Sequence, residues 1–114
     1  MSAITTHVLD TSRGRPAAGV PVELEVRDGS GDWRPIGRGV TDADGRLRTL
    51  MFDDDSLVAG VYRLVFDVEK YFAADAVRAF FPRVIVEFTA MEGEEHYHVP
   101  LLLSPFGYST YRGT

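Results

Sequence analysis

Hydrophobic and polar positions alternate along most of this chain, and a period of two residues predicts β-strands. The clearest case is the segment 20–26, where Val20, Val22 and Leu24 are separated by proline or charged residues. Similar patterns predict further strands at Trp33–Val40 and at residues 62–68, 84–88, 97–103 and 106–111. Residues 69–75 are predicted to form a short helix. Seven or eight short strands with turns between them predict an all-β fold, an antiparallel β-sandwich.

Two glycine-containing polar segments separate predicted strands. Residues 28–31 read Asp-Gly-Ser-Gly and residues 42–45 read Asp-Ala-Asp-Gly, and both are typical of tight turns. Gly45 suits a turn position that requires a positive φ. The second segment also resembles part of a calcium loop. That alternative fails, because Val40 and Met51 would then occupy ligand positions and neither has a side-chain oxygen.

Size and composition limit the classes of protein that this chain can represent. A length of 114 residues fits one domain over residues 1–114. The chain has no cysteine, which excludes disulfides and thiol nucleophiles, and its net charge of −5 argues against nucleic acid as the main partner. No apolar run approaches the roughly 20 residues of a membrane span, and the N-terminal sequence lacks the features of a signal peptide. We therefore expect a cytoplasmic protein with no membrane or nucleic-acid partner. The acidic runs at 53–55 and 92–95 are expected to be solvated loops or a helix start.

The C-terminal part of the chain contains the most informative pattern. His96 and His98 are two residues apart, so a strand would direct both to the same face. The opposite face would carry a core stripe of Tyr97, Val99, Leu101 and Leu103. Pro100 and Leu102 fall on the histidine face, which is therefore partly apolar. A titratable pair on a partly apolar outer face suggests that a second surface covers it.

Three histidines are the main candidates for chemistry: His7, His96 and His98. A zinc site with three histidine ligands is one hypothesis, because two ligands on one strand can converge with a third on another. Taken singly, His7 is as well explained as a half-exposed strand residue, and Arg46 as a surface arginine that pairs with an aspartate. The sequence has no phosphate loop, no His-Glu-x-x-His and no Gly-x-Ser-x-Gly motif.

Three separated segments resemble the 5-hydroxyisourate hydrolases, the transthyretin-related family of purine catabolism. They are residues 4–17 (Ile-Thr-Thr-His-Val-Leu-Asp-Thr-Ser-Arg-Gly-Arg-Pro-Ala), residues 41–46 (Thr-Asp-Ala-Asp-Gly-Arg) and residues 96–113, which end in Tyr-Arg-Gly. The resemblance extends over essentially the whole chain. Two departures are Thr114, where the family usually has serine, and Phe106 in place of a commoner tyrosine. Thr114 keeps the hydroxyl group.

The resemblance implies a fold and an assembly. The expected fold is a transthyretin-like (prealbumin-like) sandwich of two four-stranded sheets with one short helix. The expected assembly is a homotetramer, a dimer of dimers, with a channel through its centre. The active sites would lie in that channel, at the interface between subunits. A partly apolar histidine face on the last long strand agrees with such a channel.

The resemblance also implies an activity and a set of site residues. The reaction is hydrolysis of 5-hydroxyisourate to 2-oxo-4-hydroxy-4-carboxy-5-ureidoimidazoline, with no metal and no cofactor. His7, Arg46 and His98 match the family's catalytic residues, and His7 and Arg46 also contact substrate. The remaining substrate-binding positions are those of the C-terminal tetrapeptide: Tyr111, Arg112, Gly113 and Thr114. His96 is then expected to lie behind the site or at the surface.

A chemical scheme follows from these residue types. A histidine is suited to deprotonate water near neutral pH, and a nearby arginine keeps it neutral and offers donors to developing negative charge. Either His98 or His7 can be the base, and Arg46 would orient substrate. The alternative function is a small-molecule carrier or a prealbumin-like binding module without catalysis, because a fold alone does not determine function.

Overall fold

The computed structural model describes residues 3–51 and 57–114, so the acidic run at 53–55 lies outside the described residues. Within these ranges the chain forms nine strands and one helix. In chain order they are β1 (Ile4–Asp10), β2 (Arg15–Pro16), β3 (Pro21–Arg27), β4 (Trp33–Val40), β5 (Arg46–Leu47), β6 (Gly60–Phe66), α1 (Val68–Ala73), β7 (Val84–Ala90), β8 (Tyr97–Ser104) and β9 (Gly107–Thr110). The other acidic run, at residues 92–95, is exposed.

The strands form two sheets. One has the order β2-β1-β8-β9, with β5 paired to the free part of β1, and the other has the order β4-β3-β6-β7. The predicted two-sheet fold with one short helix is confirmed. Two details differ: the first sheet has five strands when β2 and β5 are counted, and β1 pairs with β8 in parallel. Strands of two residues are too short to show an alternation, and alternation carries no information about pairing direction.

The boundary between β6 and α1 differs from the predicted one. Residues 62–68 were expected to be a strand, but β6 ends at Phe66 and Val68 begins the helix. Asp67 is the N-cap, and its carboxylate accepts a hydrogen bond from the backbone N–H of Lys70 (3.1 Å). Val68 is buried at the start of the helix, so its hydrophobic character continues the strand pattern past the true strand end.

The core lies between the two sheets, and α1 contributes buried residues to it. Phe66, Leu64 and Leu24 have no exposed surface, and neither does Phe72 of the helix. The predicted stripe on β8 is confirmed, since Tyr97, Val99, Leu101 and Leu103 are each at most 5 % exposed. Burying one such leucine or phenylalanine side chain contributes about 1.5–3 kcal/mol. The opposite face of β8 is therefore held in place by a continuous apolar layer behind it.

In the two stretches that the structure describes, no helix has the length and apolar character that crossing a membrane would require.

Asp10, at the end of β1, is a buried charge that ties this strand to α1. Its carboxylate accepts hydrogen bonds from the N–H and hydroxyl of Ser12 (3.0 and 2.6 Å), the N–H of Arg13 (3.2 Å) and the hydroxyl of Tyr71 (2.7 Å). Burial alone would raise the pKa of Asp10. The hydrogen bonds from Ser12, Tyr71 and Arg13, with the charge of Arg13, outweigh burial and leave that pKa below its ordinary value. Burial and the Asp10 carboxylate raise the pKa of Tyr71 to about 12.

The Asp10→Asn variant tests this network. We expect it to lower the free energy of unfolding at pH 7 by about 1–3 kcal/mol, because charged hydrogen bonds become neutral ones. The folded-state pKa of Asp10 lies below the unfolded value of about 3.9, so the contribution is present above that pH and is lost as the pH falls through the folded pKa. Urea unfolding should show that the difference between the two proteins narrows below about pH 4. Tyr71→Phe should lower the free energy of unfolding by less than Asp10→Asn does. A stability difference between the wild type and Asp10→Asn that stays unchanged down to about pH 3 would contradict the role of the Asp10 charge.

Candidate active site

The outer face of the first sheet carries the candidate site, and the parallel pairing of β1 with β8 assembles it. In this pairing Thr5 lies opposite His98 and His7 lies opposite Pro100. Alternate residues of each strand point to the same face. Residues 5, 7 and 9 of β1 therefore share one face with His98 and Pro100 of β8, while the intervening residues enter the core. The side chain of His96, which directly precedes β8, is on this face too, as its contact with Thr5 shows.

Arg46 reaches this face through the tight turn before β5. β5 is antiparallel to β1, and the register places Arg46 directly opposite His7. The carboxylate of Asp42 accepts hydrogen bonds from the backbone N–H groups of Asp44 (2.9 Å) and Arg46 (3.0 Å), which holds the turn closed. The hydrogen bond from the backbone N–H of Arg46 makes the largest contribution to lowering the pKa of Asp42. The turn therefore fixes the position from which the Arg46 side chain starts.

Gly45 makes this turn possible at the surface of β1. Its φ is +76°, as the turn prediction required. A Cβ at this position would collide with the carbonyl oxygen of Val8. The close approach allows the N–H of Val8 to donate to the carbonyl of Gly45 (2.7 Å). The same segment holds His7, whose Nε2–H donates to the carbonyl of Asp44 (2.8 Å). A carbonyl only accepts, so Nε2 of His7 carries a proton.

The C-terminal tetrapeptide returns to the histidine face and packs against His98. The backbone N–H of Gly113 donates to the carbonyl oxygen of His98 (2.8 Å). A Cβ at position 113 would lie 2.7 Å from Cδ2 of His98 and 3.1 Å from the ring of Pro100. Real Cβ atoms essentially never show the first distance, so only glycine lets the chain pass this close to the imidazole.

One cleft, with a volume of about 540 Å³, contains every site residue predicted from the sequence. Those that line it are His7, Arg46, His98, Tyr111, Arg112, Gly113 and Thr114. His96 lines the cleft as well, and so do two residues that sequence reasoning did not select, Thr5 and Arg48. Thr5 is two positions from His7, and Arg48 is two positions from Arg46. On an extended segment, residues two apart point to the same face, and this spacing could have indicated both residues. Their individual roles remain predictions.

The cleft is cationic. Among its described lining residues, three are arginines, three are histidines and none has an acidic side chain. Burial of the ring lowers the pKa of His98, and the positive charge of Arg46 adds to this, followed by His7, His96 and Arg48. His98 therefore stays uncharged down to a lower pH than an ordinary histidine does.

Arg112 has its charged group at the edge of the cleft. Its guanidinium lies over the ring of Tyr97 (4.4 Å to the centroid), and one of its nitrogens is 3.4 Å from a carboxylate oxygen of Glu94. Both side chains of the ion pair are about half exposed, so the pair is weak and easily opened. Tyr111 is 57 % exposed and presents its ring to solvent.

The three-histidine zinc hypothesis finds no support in this arrangement. Within residues 3–51 and 57–114, no group of three histidine, aspartate or glutamate side chains is placed to hold a metal ion. His96 and His98 instead share the hydroxyl of Thr5, and His7 bonds to a backbone carbonyl. Ser104 donates its hydroxyl hydrogen to the carbonyl of Gly107 (3.1 Å), and among the described residues no hydrogen bond joins it to a histidine that could make it a nucleophile.

Fold and cleft together define a prealbumin-like β-sandwich with a histidine–arginine cleft on the outer face of one sheet. The chain belongs to the HIUase/Transthyretin family, whose model matches residues 4–113. The family expected from the sequence is therefore confirmed.

Relatives with assigned names support this placement. The chain is 47% identical to a 5-hydroxyisourate hydrolase of Deinococcus radiodurans, with 97% of this chain and 95% of that protein covered. It is 44% identical to a 5-hydroxyisourate hydrolase of Caulobacter vibrioides over the full length of both. It is also 49% identical to the uric acid degradation bifunctional protein TTL of Arabidopsis thaliana. That match covers 97% of this chain but only 37% of the plant protein.

Solved structures show the same fold. Transthyretin from Sparus aurata superposes with a TM-score of 0.91 at 35% identity, with 99% of this chain and 97% of that chain covered. Sea bream transthyretin in complex with thyroxine also gives a TM-score of 0.91 at 35% identity. The fold is therefore that of proteins named as transthyretins, and the fold alone does not distinguish a hydrolase from a transthyretin.

The Gly113→Ala variant tests the packing of the tetrapeptide on His98. The added methyl group has no room beside the imidazole, so we expect residues 111–114 to move away from β8. Amide hydrogen exchange at residue 113 should accelerate by up to about 10-fold, the equivalent of one lost hydrogen bond. Gly107→Ala is the matched control, since a Cβ there would meet only the hydroxyl of Ser104 at 3.7 Å. Unchanged exchange at residue 113 in Gly113→Ala would contradict the packing described.

Proposed function

We propose that this protein hydrolyses 5-hydroxyisourate to 2-oxo-4-hydroxy-4-carboxy-5-ureidoimidazoline in its cationic cleft. The observation that carries the proposal is the convergence of His7, Arg46, His98 and residues 111–114 on one cleft. The general assignment to the hydrolases of urate degradation is supported by relatives named 5-hydroxyisourate hydrolase, at 44% and 47% identity over almost the whole chain. The more specific part of the proposal assigns a role to each residue of the cleft.

His98 is the general base in this scheme. Its Nδ1 is taken by the hydroxyl of Thr5, which leaves Nε2 for a water molecule in the cleft. Its lowered pKa keeps the ring unprotonated at neutral pH, so Nε2 has a lone pair available. The water oxygen bonds to C6 of the substrate, and its proton passes to Nε2. The N1–C6 bond then breaks, and N1 takes this proton from Nε2 as it leaves, which returns His98 to its neutral form.

Arg46 stabilises the negative charge that develops on the C6 oxygen. Among the described residues its guanidinium forms no salt bridge with an acidic side chain, so its donors are available to a ligand. A guanidinium also presents paired planar donors that suit the ring carbonyls and amide edge of the substrate. His7 lies directly opposite Arg46 and is fixed by Asp44, so it contacts the same part of the substrate.

The C-terminal tetrapeptide closes one side of the cleft. The exposed ring of Tyr111 offers a flat surface on which the purine-derived ring stacks. Gly113 brings the chain close enough for Thr114 to face the substrate, with its hydroxyl as a donor or acceptor. Arg112 adds positive charge once it leaves Glu94. No metal and no cofactor takes part in this scheme.

We also infer that the cleft is completed by a second copy of this chain, in a homotetramer built as a dimer of dimers. The cleft is open in the single chain, and Tyr111, which lines it, is 57 % exposed. Light scattering of the protein should then give a mass of about 51 kDa, four times the chain mass of 12.7 kDa. A mass of about 13 kDa at assay concentration would contradict the tetramer.

Arg46→Ala tests the roles of the cation and the base together. Loss of one oxyanion donor costs about 2.7–4 kcal/mol, so turnover should fall by about 100-fold or more. The positive charge of Arg46 also lowers the pKa of His98, so its removal should raise that pKa. The acidic limb of the kcat/KM profile should therefore move to higher pH in the variant. Decay of 5-hydroxyisourate absorbance, with substrate generated from urate by urate oxidase, measures both effects.

Arg38→Ala is the matched control, since Arg38 is exposed on β4 in the other sheet. It removes the same charge without touching the cleft, and its rate and pH profile should equal those of the wild type. A fall of less than about 5-fold in Arg46→Ala would exclude the oxyanion role. Wild-type decay no faster than the spontaneous reaction would favour the alternative, a carrier or binding module without catalysis.

A further inference from the structure

Thr5 occupies an unusual position between two histidine rings. Its hydroxyl oxygen is 2.8 Å from Nδ1 of His98 and 3.3 Å from Nε2 of His96. The residue is only 3 % exposed, so these two rings are the partners that its hydroxyl has in the described residues. Thr5 and His98 are direct neighbours in the parallel pairing of β1 with β8. The backbone therefore fixes the distance between hydroxyl and imidazole.

A threonine hydroxyl has a single proton, and this restricts the two histidines jointly. It can donate to one ring nitrogen while it accepts from the other. If it donates to His98, then Nδ1 of His98 is bare and the proton of that ring sits on Nε2. If it donates to Nε2 of His96, it accepts from Nδ1–H of His98. Nε2 of His98 is then bare and has a lone pair with which to act as a base.

The second arrangement is the one that agrees with proton transfer from water. When His98 takes a proton on Nε2, both of its nitrogens carry hydrogen, and Nδ1 needs an acceptor. A hydroxyl that already accepts from Nδ1 needs no rotation at that moment, and preorganised groups of this kind lower barriers. In the first arrangement, Nε2 already carries the proton of the ring and has no lone pair with which to accept a proton from water.

We propose that Thr5 is a positioning residue that fixes the tautomer of His98, through a chain of hydrogen bonds from His98 Nδ1–H to Thr5 Oγ1 and from Thr5 Oγ1–H to His96 Nε2. This inference rests on the proposed function, because it assigns His98 as the base. It also gives His96 a definite task, which is to accept the threonine proton. His96 acts on His98 through Thr5 and needs no contact with substrate.

The neighbouring threonine provides a matched control. Thr6 is fully buried and donates its hydroxyl hydrogen to the backbone carbonyl of Val99 (2.6 Å), on the core face of the sheet. Thr5→Val and Thr6→Val each remove one buried hydroxyl from adjacent positions of β1. Valine has the shape of threonine and is favoured in strands, so both variants are expected to fold. Only the first hydroxyl contacts a histidine.

The test is the tautomer of His98, measured by 15N–1H NMR of the imidazole rings at about pH 8, where histidines are neutral. In the wild type and in Thr6→Val, we expect a protonated Nδ1 and a bare Nε2. In Thr5→Val the population should shift towards the Nε2–H form, and Thr5→Ser should restore the wild-type form. His96→Ala removes the acceptor at the far end without altering β1, and it should shift the tautomer in the same direction.

Kinetics give the second readout. Thr5→Val should lower kcat by about 10-fold or more with little change in KM, and Thr5→Ser should recover to within about 3-fold of the wild type. The acidic limb follows the pKa of His98, which is lowered by burial of the ring and by the charges of Arg46, His7, His96 and Arg48. Thr5→Val removes none of these charges, so the limb should move much less than kcat.

Several outcomes would overturn the inference. They are a wild-type His98 protonated on Nε2, a tautomer indifferent to Thr5→Val, or an equal loss of kcat in Thr6→Val and Thr5→Val. The NMR readout does not depend on the substrate, so the two proposals fail separately. A wild type that shows the expected tautomer but leaves 5-hydroxyisourate untouched refutes the function alone. An active wild type whose Thr5→Val variant is equally active refutes the role of Thr5 alone.

Discussion

The parallel pairing of β1 with β8 is the constraint on which the candidate site depends. It joins the first strand of the chain to the last long one and places Thr5 beside His98 and His7 beside Pro100. A shift of one residue would turn the histidine face into the core and the core face outwards. The core face prevents such a shift, because its residues on both strands are at most 5 % exposed. Hydrophobic packing on one side of the sheet thus fixes the geometry of the polar chemistry on the other.

The cleft combines groups that repel one another, and the fold holds them together. Three arginines and three histidines line it with no acidic side chain among the described residues. Burial of the ring lowers the pKa of His98, and the positive charge of Arg46 and the other neighbours in the cleft lowers it further. The same electrostatics suit a base near neutral pH and a site for developing negative charge. Hydrogen bonds to the backbone hold these groups in place. Asp42 closes the turn before Arg46, and the N–H of Gly113 anchors the C-terminal tetrapeptide on His98.

Alternation in the sequence predicted the sandwich and the two faces of β8, because each residue of a half-buried strand reports its own environment. It did not predict that β1 and β8 run parallel, nor the strands β2 and β5, since pairing direction and two-residue strands leave no periodic trace. The selected residues at positions 7, 46, 98 and 111–114 came from the family resemblance, and the structure brings all of them to one cleft. Thr5 was missed because a threonine in a strand is ordinary. Its importance arises only from the two rings that the fold places against its hydroxyl.

The central claim is that His98 is a base that activates water for the hydrolysis of 5-hydroxyisourate. The most direct measurement is the decay of 5-hydroxyisourate absorbance with the wild type and with His98→Ala, at equal concentrations of folded protein. We predict rapid decay with the wild type and a rate in His98→Ala at least about 100-fold lower, at the lower end of what general bases contribute. Rapid decay that persists in His98→Ala would contradict the claim and move the search for the base to His7.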